Sequence, residues 1–264
     1  MRILYYGYNS FLIKTEDKKI AIDPGGELYI FRWLKSIIPR SEWNDVTHIF
    51  VTHGDPDHHW HTDRLAKISN ASVICNKTMV KEIDGRQLMI GPRNRGLAFT
   101  SPFEKLYTVS VDETIHLDGM SILGIKTTHG AITFSLGSFS KTLKPGTKER
   151  VGWGAIGFLI HLDDKYIVNL GDTLLKEREW MKINAPDVLM IPIGGAIGHN
   201  TMNEKEALQA VRLMKPKLVI PCHYNCPFLL HKNANPADYK FFKKEAEKLG
   251  TECVILRNGE SIDV

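Results

Sequence analysis

Along the first 23 residues apolar and polar positions alternate in two runs, ILYYGYNSFLIKT and KKIAIDP, which predict two strands joined by the polar turn Glu16 to Lys19. A variable segment from Gly25 to Asp45 follows. The nearly unbroken apolar run of THIFVTHGD then predicts a buried strand ending at Thr52, with His53 to His61 as the loop behind it. The spacing of Leu65, Ala66 and Ile68 predicts a helix over Thr62 to Ser69, and ASVICN predicts another strand. TIHLDG and SILGIKTTHG form a hairpin around Asp118-Gly119, a dipeptide suited to a tight turn. GAIGFLIHLDDKYIVNLGDT gives two strands around Asp163-Asp164, and APDVLMIPIGG, KPKLVIPCHYN and CVILRNGE give three more. A helix from Asn203 to Met214 lies between the first two of these three, with Asn203 as its cap and Glu206 as the reciprocal partner. Residues Thr133 to Trp153, rich in Gly, Ser and Lys and containing Pro145, read as an irregular insertion suited to a mobile flap.

Composition narrows the class. A chain of 264 residues with 43% hydrophobic and 24% charged positions can bury a sizeable core, and one domain over residues 1–264 is the expectation. The net charge of +4 is spread along the chain rather than gathered in a stripe, which argues against a nucleic-acid partner and suits a small, anionic substrate. Cys75, Cys222, Cys226 and Cys253 are too few and too irregular for a disulfide framework and read as reduced thiols. The N-terminal run has strand character rather than that of a signal peptide, and no run approaches a membrane span. The expectation is a cytoplasmic protein with no membrane partner; a homo-oligomer is compatible with all of this.

The chemistry concentrates in THGDPDHHW, where His53, Asp55, Asp57 and His58 crowd the end of a buried strand. Imidazoles and carboxylates are ligands for zinc, manganese and iron, and a strand-end loop can aim several of them at one point. His129 in IKTTHG, Asp172 in VNLGDT and His223 in VIPCHYN repeat the placement. Any one alone is more often a hydrogen-bonded core or turn residue. Their recurrence beside the first cluster favours ligation.

The order and spacing of these residues resemble the metallo-β-lactamase superfamily, with its HxHxDH motif followed by His, Asp and His. The segments GYNSFLI, IAIDP, THGDPDHH, VNLGDT, PDVLMIPIGG and KPKLVIPCHYN are similar to the branch that contains L-ascorbate 6-phosphate lactonase. The resemblance implies an α/β fold, a four-layer αββα sandwich, with two divalent metal ions, zinc or manganese, iron also being allowed. It implies that His53, Asp55 and His129 hold one ion, that Asp57, His58 and His223 hold the other, and that Asp172 bridges them. The implied reaction is attack by a metal-bound hydroxide on an ester, lactone or phosphodiester, with Asp57 relaying the proton. Two positions depart from the pattern. Asp55 replaces the usual second histidine, which favours manganese or iron or weakens the first site, and Tyr8 stands where relatives often carry His in a GHS segment.

Around this set, Asp23 and Thr52 are candidates to orient ligating imidazoles, with a plain turn role for Asp23 equally open. His199, Asn200 and Thr201 after the Gly-Gly loop, and Tyr224 and Asn225 after His223, are pocket candidates, with His199 a candidate catalytic group. His59 and His61 read as surface groups and Cys222 and Cys226 as buried thiols. Trp153, Lys141, Lys144, Lys148 and Arg150 form either a solvated loop or a lid over an anionic substrate. Two alternatives to hydrolysis remain: a diiron redox protein, raised by Asp55, and a protein that binds metal or senses without turnover.

Overall fold

The computed structural model describes residues 1–83, 86–90, 100–136, 139–145 and 151–264. Two seven-stranded sheets dominate it. The first runs, in spatial order, Leu106–Val109, Ser72–Asn76, His48–Val51, Lys19–Ile22, Phe11–Lys14, Arg2–Tyr5 and Ser261–Asp263. The second runs Thr114–Leu117, Met120–Ile125, Gly157–Leu162, Lys165–Asn169, Val188–Pro192, Leu218–Cys222 and Glu252–Cys253.

The two-residue period of the strands sorts their side chains between layers. Ile3, Phe11, Ile13, Ile20, Ile22, Phe50 and Ile74 of the first sheet meet Ile122, Phe158, Ile160, Ile167, Met190 and Ile220 of the second in a common core. The opposite face of the first sheet, with Leu12, Ala21, Ile49, Val51 and Val73, packs on Leu65 and Ala66 of the helix Thr62–Ser69 and on Trp43 and Ile38. The outer face of the second sheet, with Val168, Leu189, Ile191 and Val219, is covered by two helices, Glu204–Met214 and Tyr239–Lys248. This is the four-layer αββα sandwich that the resemblance implies.

The local signals hold where the chemistry is local. Asp163 and Asp164 both have positive φ (+50° and +59°), as do Asp118 and Gly119 (+48° and +78°), the geometry of a tight two-residue hairpin turn. Asn203 Oδ1 accepts from the N–H groups of Lys205 and Glu206 at 3.0 and 3.1 Å, and Glu206 Oε2 accepts from the Asn203 N–H at 2.9 Å, closing the reciprocal cap.

Three expectations need correction. The run ILYYGYNSFLIKT is two strands, because Gly7 and Tyr8 take positive φ and turn the chain back on itself, so the N-terminus is a three-stranded meander. Within Thr133 to Trp153, Ile132–Leu136 and Phe139–Leu143 pair as an antiparallel hairpin. The helix Tyr239–Lys248 is not among the predicted elements, although Asp238 caps it by accepting from the Phe241 N–H at 2.9 Å.

Parallel pairing gathers strand ends. Lys19–Ile22 and His48–Val51 run parallel, and so do Lys165–Asn169, Val188–Pro192 and Leu218–Cys222; Met120–Ile125 shares the second group's direction through two antiparallel steps. The segments that follow these strands carry Asp23, His53, His129, Asp172 and His223.

Candidate metal centre

All seven residues named as ligand candidates are buried and converge. His53, Asp55 and His129 offer ligand atoms within 4.8 Å of one another, as do Asp57, His58 and His223, and a third group joins His53, His58 and Asp172. Asp172 Oδ2 lies 3.5 Å from His129 Nε2, 3.7 Å from His58 Nε2 and 3.0 Å from His223 Nε2, touching imidazoles of both outer groups. Asp55 Oδ2 stands 3.5 Å from both His53 Nε2 and His129 Nε2, and Asp57 Oδ2 3.5 Å from His58 Nε2 and 3.4 Å from His223 Nε2.

The imidazoles are oriented from behind. Thr52 Oγ1 donates to Asp23 Oδ2 at 2.6 Å, so its oxygen is left to accept from His53 Nδ1–H at 3.1 Å. His58 Nδ1–H donates to Asp23 Oδ2 at 2.7 Å and His129 Nδ1–H to the Gly130 carbonyl at 2.6 Å. In each case the proton is fixed on Nδ1 and the Nε2 lone pair faces the other ligand candidates. His223 Nδ1 meets the Asn235 amide at 3.1 Å; with the amide rotated so that its oxygen faces the ring, the same tautomer results.

Two observations test whether a metal fits. His53 Nε2, His58 Nε2 and Asp172 Oδ1 are fully buried with no hydrogen-bond partner, among the few described side-chain atoms in that state, and buried polar atoms are rarely left so. Four carboxylates, Asp23, Asp55, Asp57 and Asp172, are also buried together, and buried negative charge is costly unless a cation balances it. The protein's own response has the same sign. Burial alone would raise Asp57 and Asp172, yet the charges of His58 and His223, with His129 beside Asp172, hold both carboxyls well below the usual range. Burial would lower His58, but Asp57, Asp23 and Asp172 push it well above its ordinary value. A cation placed among these groups removes the conflict, and the residues fit one.

Backbone contacts lock the loops. The Gly152 N–H donates to Asp55 Oδ1 at 3.0 Å, and the Gly54 N–H to the Trp153 carbonyl at 2.8 Å. A Cβ on Gly152, whose φ is +65°, would come within 2.2 Å of His129 Cβ. Residues 151–154 are thus part of the site's wall, which corrects the flap reading for this end of the insertion. Lys148 and Arg150 of the candidate lid lie outside the described residues, while Lys141 and Lys144 are at or near the surface. On the other side, a Cβ on Gly25 would overlap the Asp57 carbonyl, so the turn after Asp23 sits directly on the ligand loop.

The remaining candidates divide. Asp23 and Thr52 sit behind the imidazoles as described, and Asp23 adopts φ +47° to do so. Thr201 Oγ1 accepts from the Thr173 N–H and donates to the Thr173 carbonyl, both at 3.2 Å, bracing the turn that carries Asp172. Asn200 is buried with Oδ1 unpartnered, and its carbonyl accepts from the Gly130 N–H at 2.7 Å beside His129. His199 has its backbone against Gly130 and its ring exposed. Tyr224 and Asn225 instead line a separate cavity of about 670 Å³ with Tyr5, Tyr6, Tyr8 and Tyr239. Tyr8 supports His223 by its carbonyl, which accepts the His223 N–H at 2.8 Å, and by a ring contact at 5.9 Å.

His59 and His61 are buried rather than on the surface, because Pro56–His59 forms a helical turn that folds them inward. His59 Nδ1 bonds the Asp55 carbonyl at 3.0 Å, and His61 Nε2 the Leu34 carbonyl at 2.7 Å. The four cysteines are free and buried, and burial pushes Cys75 and Cys253 up to about 12, consistent with inert thiols. Sequence reasoning missed Asn9 and Asn169. Asn9 donates to Asp23 Oδ2 at 2.6 Å and to Asn169 Oδ1 at 2.9 Å, and Asn169 returns a bond at 3.1 Å. Their signal was weak: each is one amide in a turn or at a strand end, 160 residues apart.

Residues 2–223 match the family model described as the β-lactamase superfamily domain. The chain belongs to the metallo-β-lactamase superfamily. A UPF0173 metal-dependent hydrolase from Nanoarchaeum equitans is 30% identical over 266 residues, covering 100% of both chains. Among solved structures, the metallo hydrolase Igni18 from Ignicoccus hospitalis superposes with a TM-score of 0.70 at 21% identity, covering 99% of this chain and 97% of that one. The diiron β-hydroxylase CmlA from Streptomyces venezuelae superposes at 0.66 with 13% identity, covering 100% of this chain and 54% of its own. At such identities these structures speak for the superfamily fold alone.

Proposed function

We propose that the chain is a metal-dependent hydrolase, working as one domain over residues 1–264, that uses two divalent ions to cleave a small-molecule ester, lactone or phosphodiester. The observation that carries this reading is the convergence of two ligand groups on Asp172, with the Nε2 atoms of His53 and His58 left unpartnered between them. The hydrolase names of full-length relatives support it, and the similarity to the L-ascorbate 6-phosphate lactonase branch supports a lactone within that range.

In this reading His53, Asp55 and His129 would hold one ion and Asp57, His58 and His223 the other, with Asp172 shared between the two groups. Bound there, such ions lower the pKa of water toward neutrality and polarise a carbonyl or phosphoryl oxygen. Asp57 would accept the proton of the water that the ions activate. Exposed His199 at the rim hands a proton to the leaving group or orients the substrate, with Asn200 beside it. Asp23 and Thr52 act through the imidazoles they hold.

Asp55 favours a second reading, a diiron redox centre. A carboxylate is a harder ligand than imidazole and shifts preference toward manganese or iron. Elemental analysis of protein purified without chelator separates the two. Two zinc or manganese ions per chain, with metal-dependent turnover of lactone or phosphodiester substrates lost in Asp57→Asn, supports the hydrolase. Two irons with no hydrolysis would transfer the assignment to redox chemistry, and no bound metal would remove both.

A further inference from the structure

A few residues beyond Gly25 and His223, the short strand Leu28–Tyr29 pairs in parallel with Cys226–Leu229, which sets Leu229 beside Tyr29. Because the strands run the same way, the residues that follow, Ile30 to Trp33 and Leu230, leave the sheet together at one end. Five large apolar side chains are exposed there. Phe31 is 75% and Trp33 71% accessible, and Ile30, Leu229 and Leu230 are also exposed. At about 150–250 Å² for a full aromatic side chain, they leave on the order of 500 Å² of apolar surface in water. That is toward the upper end of what a monomer exposes in one patch and is commonly functional. Leu34 and Leu229 hold φ of +56° and +49°, where glycine or asparagine would cost less, so the chain keeps leucine at two strained turns bordering the patch.

Charge decides between occupants. The segments LYIFRWLK (residues 28–35) and CPFLLHKNA (residues 226–234) contain no Asp or Glu, and they carry Arg32, Lys35, Lys232 and His231, all exposed. Glu27, just outside, is engaged with Arg32 Nε at 2.9 Å. A two-fold dimer through this face would set each cation group against its own copy. An anionic lipid surface instead meets the cations with phosphates and the apolar side chains with the acyl boundary, where tryptophan is favoured.

We propose that this face docks peripherally on anionic membranes, inserting Phe31, Trp33 and Leu230 between headgroups while Lys35 and Lys232 pair with lipid phosphates. This goes beyond the hydrolase reading and does not depend on it. The sequence expectation of no membrane partner rested on the absence of an apolar span, and among the described residues no helix is long and apolar enough to cross a membrane. A peripheral patch leaves no such run, because its halves lie about 200 residues apart.

The test is co-sedimentation of the full chain, as purified, with vesicles of phosphatidylcholine alone or with 30% phosphatidylglycerol, at low and high salt. The expected result is at least tenfold stronger binding to the anionic vesicles, weakened by salt, and lost in F31S/W33S with an unchanged melting temperature. K35Q/K232Q should abolish the preference for phosphatidylglycerol. Equal or absent binding to both vesicles overturns the proposal. So does a dimer in lipid-free sedimentation that F31S/W33S dissociates, since the face would then belong to a second copy. Metal content and turnover are read in parallel and fail or hold separately.

Discussion

Asp23→Asn removes one charge from the centre with almost no change of shape. Asp23 Oδ1 accepts from the Thr52 N–H at 2.8 Å, while Oδ2 accepts from Thr52 Oγ1, Asn9 Nδ2 and His58 Nδ1 at 2.6, 2.6 and 2.7 Å. An asparagine tolerates the positive φ of this position, so the backbone is not penalised. Its amide cannot satisfy these donors in either orientation. With oxygen in the Oδ2 place the NH₂ faces the Thr52 N–H, and with the amide turned three donors face NH₂. An unpaired buried donor costs about 1–3 kcal/mol, and bonds to a charged acceptor are worth about 1.5–3 kcal/mol each. Partial relaxation then leaves a net loss of about 2–4 kcal/mol. His58 is left with a neutral acceptor in the first orientation and none in the second, and losing the charged partner of a ligating imidazole typically weakens metal affinity by about 10–100-fold. Urea unfolding in chelator gives the first quantity, and competition with a chromophoric chelator the second. Stability within about 0.5 kcal/mol of the parent, together with unchanged metal affinity, would refute the assignment of Asp23 as the anchor of His58.

Other outcomes follow from single contacts. Gly152→Ala drives a Cβ into His129 at a φ of +65° and should cost about 2–4 kcal/mol with loss of metal binding, read by unfolding and elemental analysis; a neutral result would mean the 151–154 wall does not press on the site. Asn203→Ala, whose side chain bonds the first turn of its helix, should lower stability by about 1 kcal/mol and leave metal content unchanged. Burial lowers His59 to about 4 in the folded chain against about 6.5 when unfolded, so the unfolded state binds the proton first. Stability of chelated protein should therefore fall as pH drops from about 6.5 toward 4, by up to about 3 kcal/mol from this residue, and His59→Gln should flatten that slope. Metal added at about a thousand times its dissociation constant should restore about 4 kcal/mol, visible as a rise in melting temperature over the chelated form.

The sequence by itself determined the strands and the candidate ligands, because both are written in local order, and the four-layer architecture was what the resemblance of those segments implied. Alternating apolar runs fix which face of a strand is buried, and hydrophobic burial does the rest. His53, Asp55, Asp57 and His58 share six positions, and His129, Asp172 and His223 each follow an apolar strand, a signal that needs no knowledge of neighbours. Turns and caps such as Asp163-Asp164 and Asn203 are likewise decided within a few residues. Tertiary structure alone decided what stands behind and around the ligands. Asn9 reaches Asp23 from the turn between the first two strands, Asn169 reaches it only through Asn9 from a strand of the other sheet, and Gly152 reaches Asp55 across 97 positions through a backbone N–H that any residue possesses. His59 and His61 look like solvated residues in the sequence, yet the helical turn at Pro56 sets His59 against the Asp55 carbonyl and His61 lies against Leu34 and Trp43. The exposed face built from residues 28–35 and 226–234 is invisible in the chain for the same reason. Its two halves become one surface only through a strand pairing between segments about 200 residues apart, and contacts at that separation leave no periodicity in the sequence.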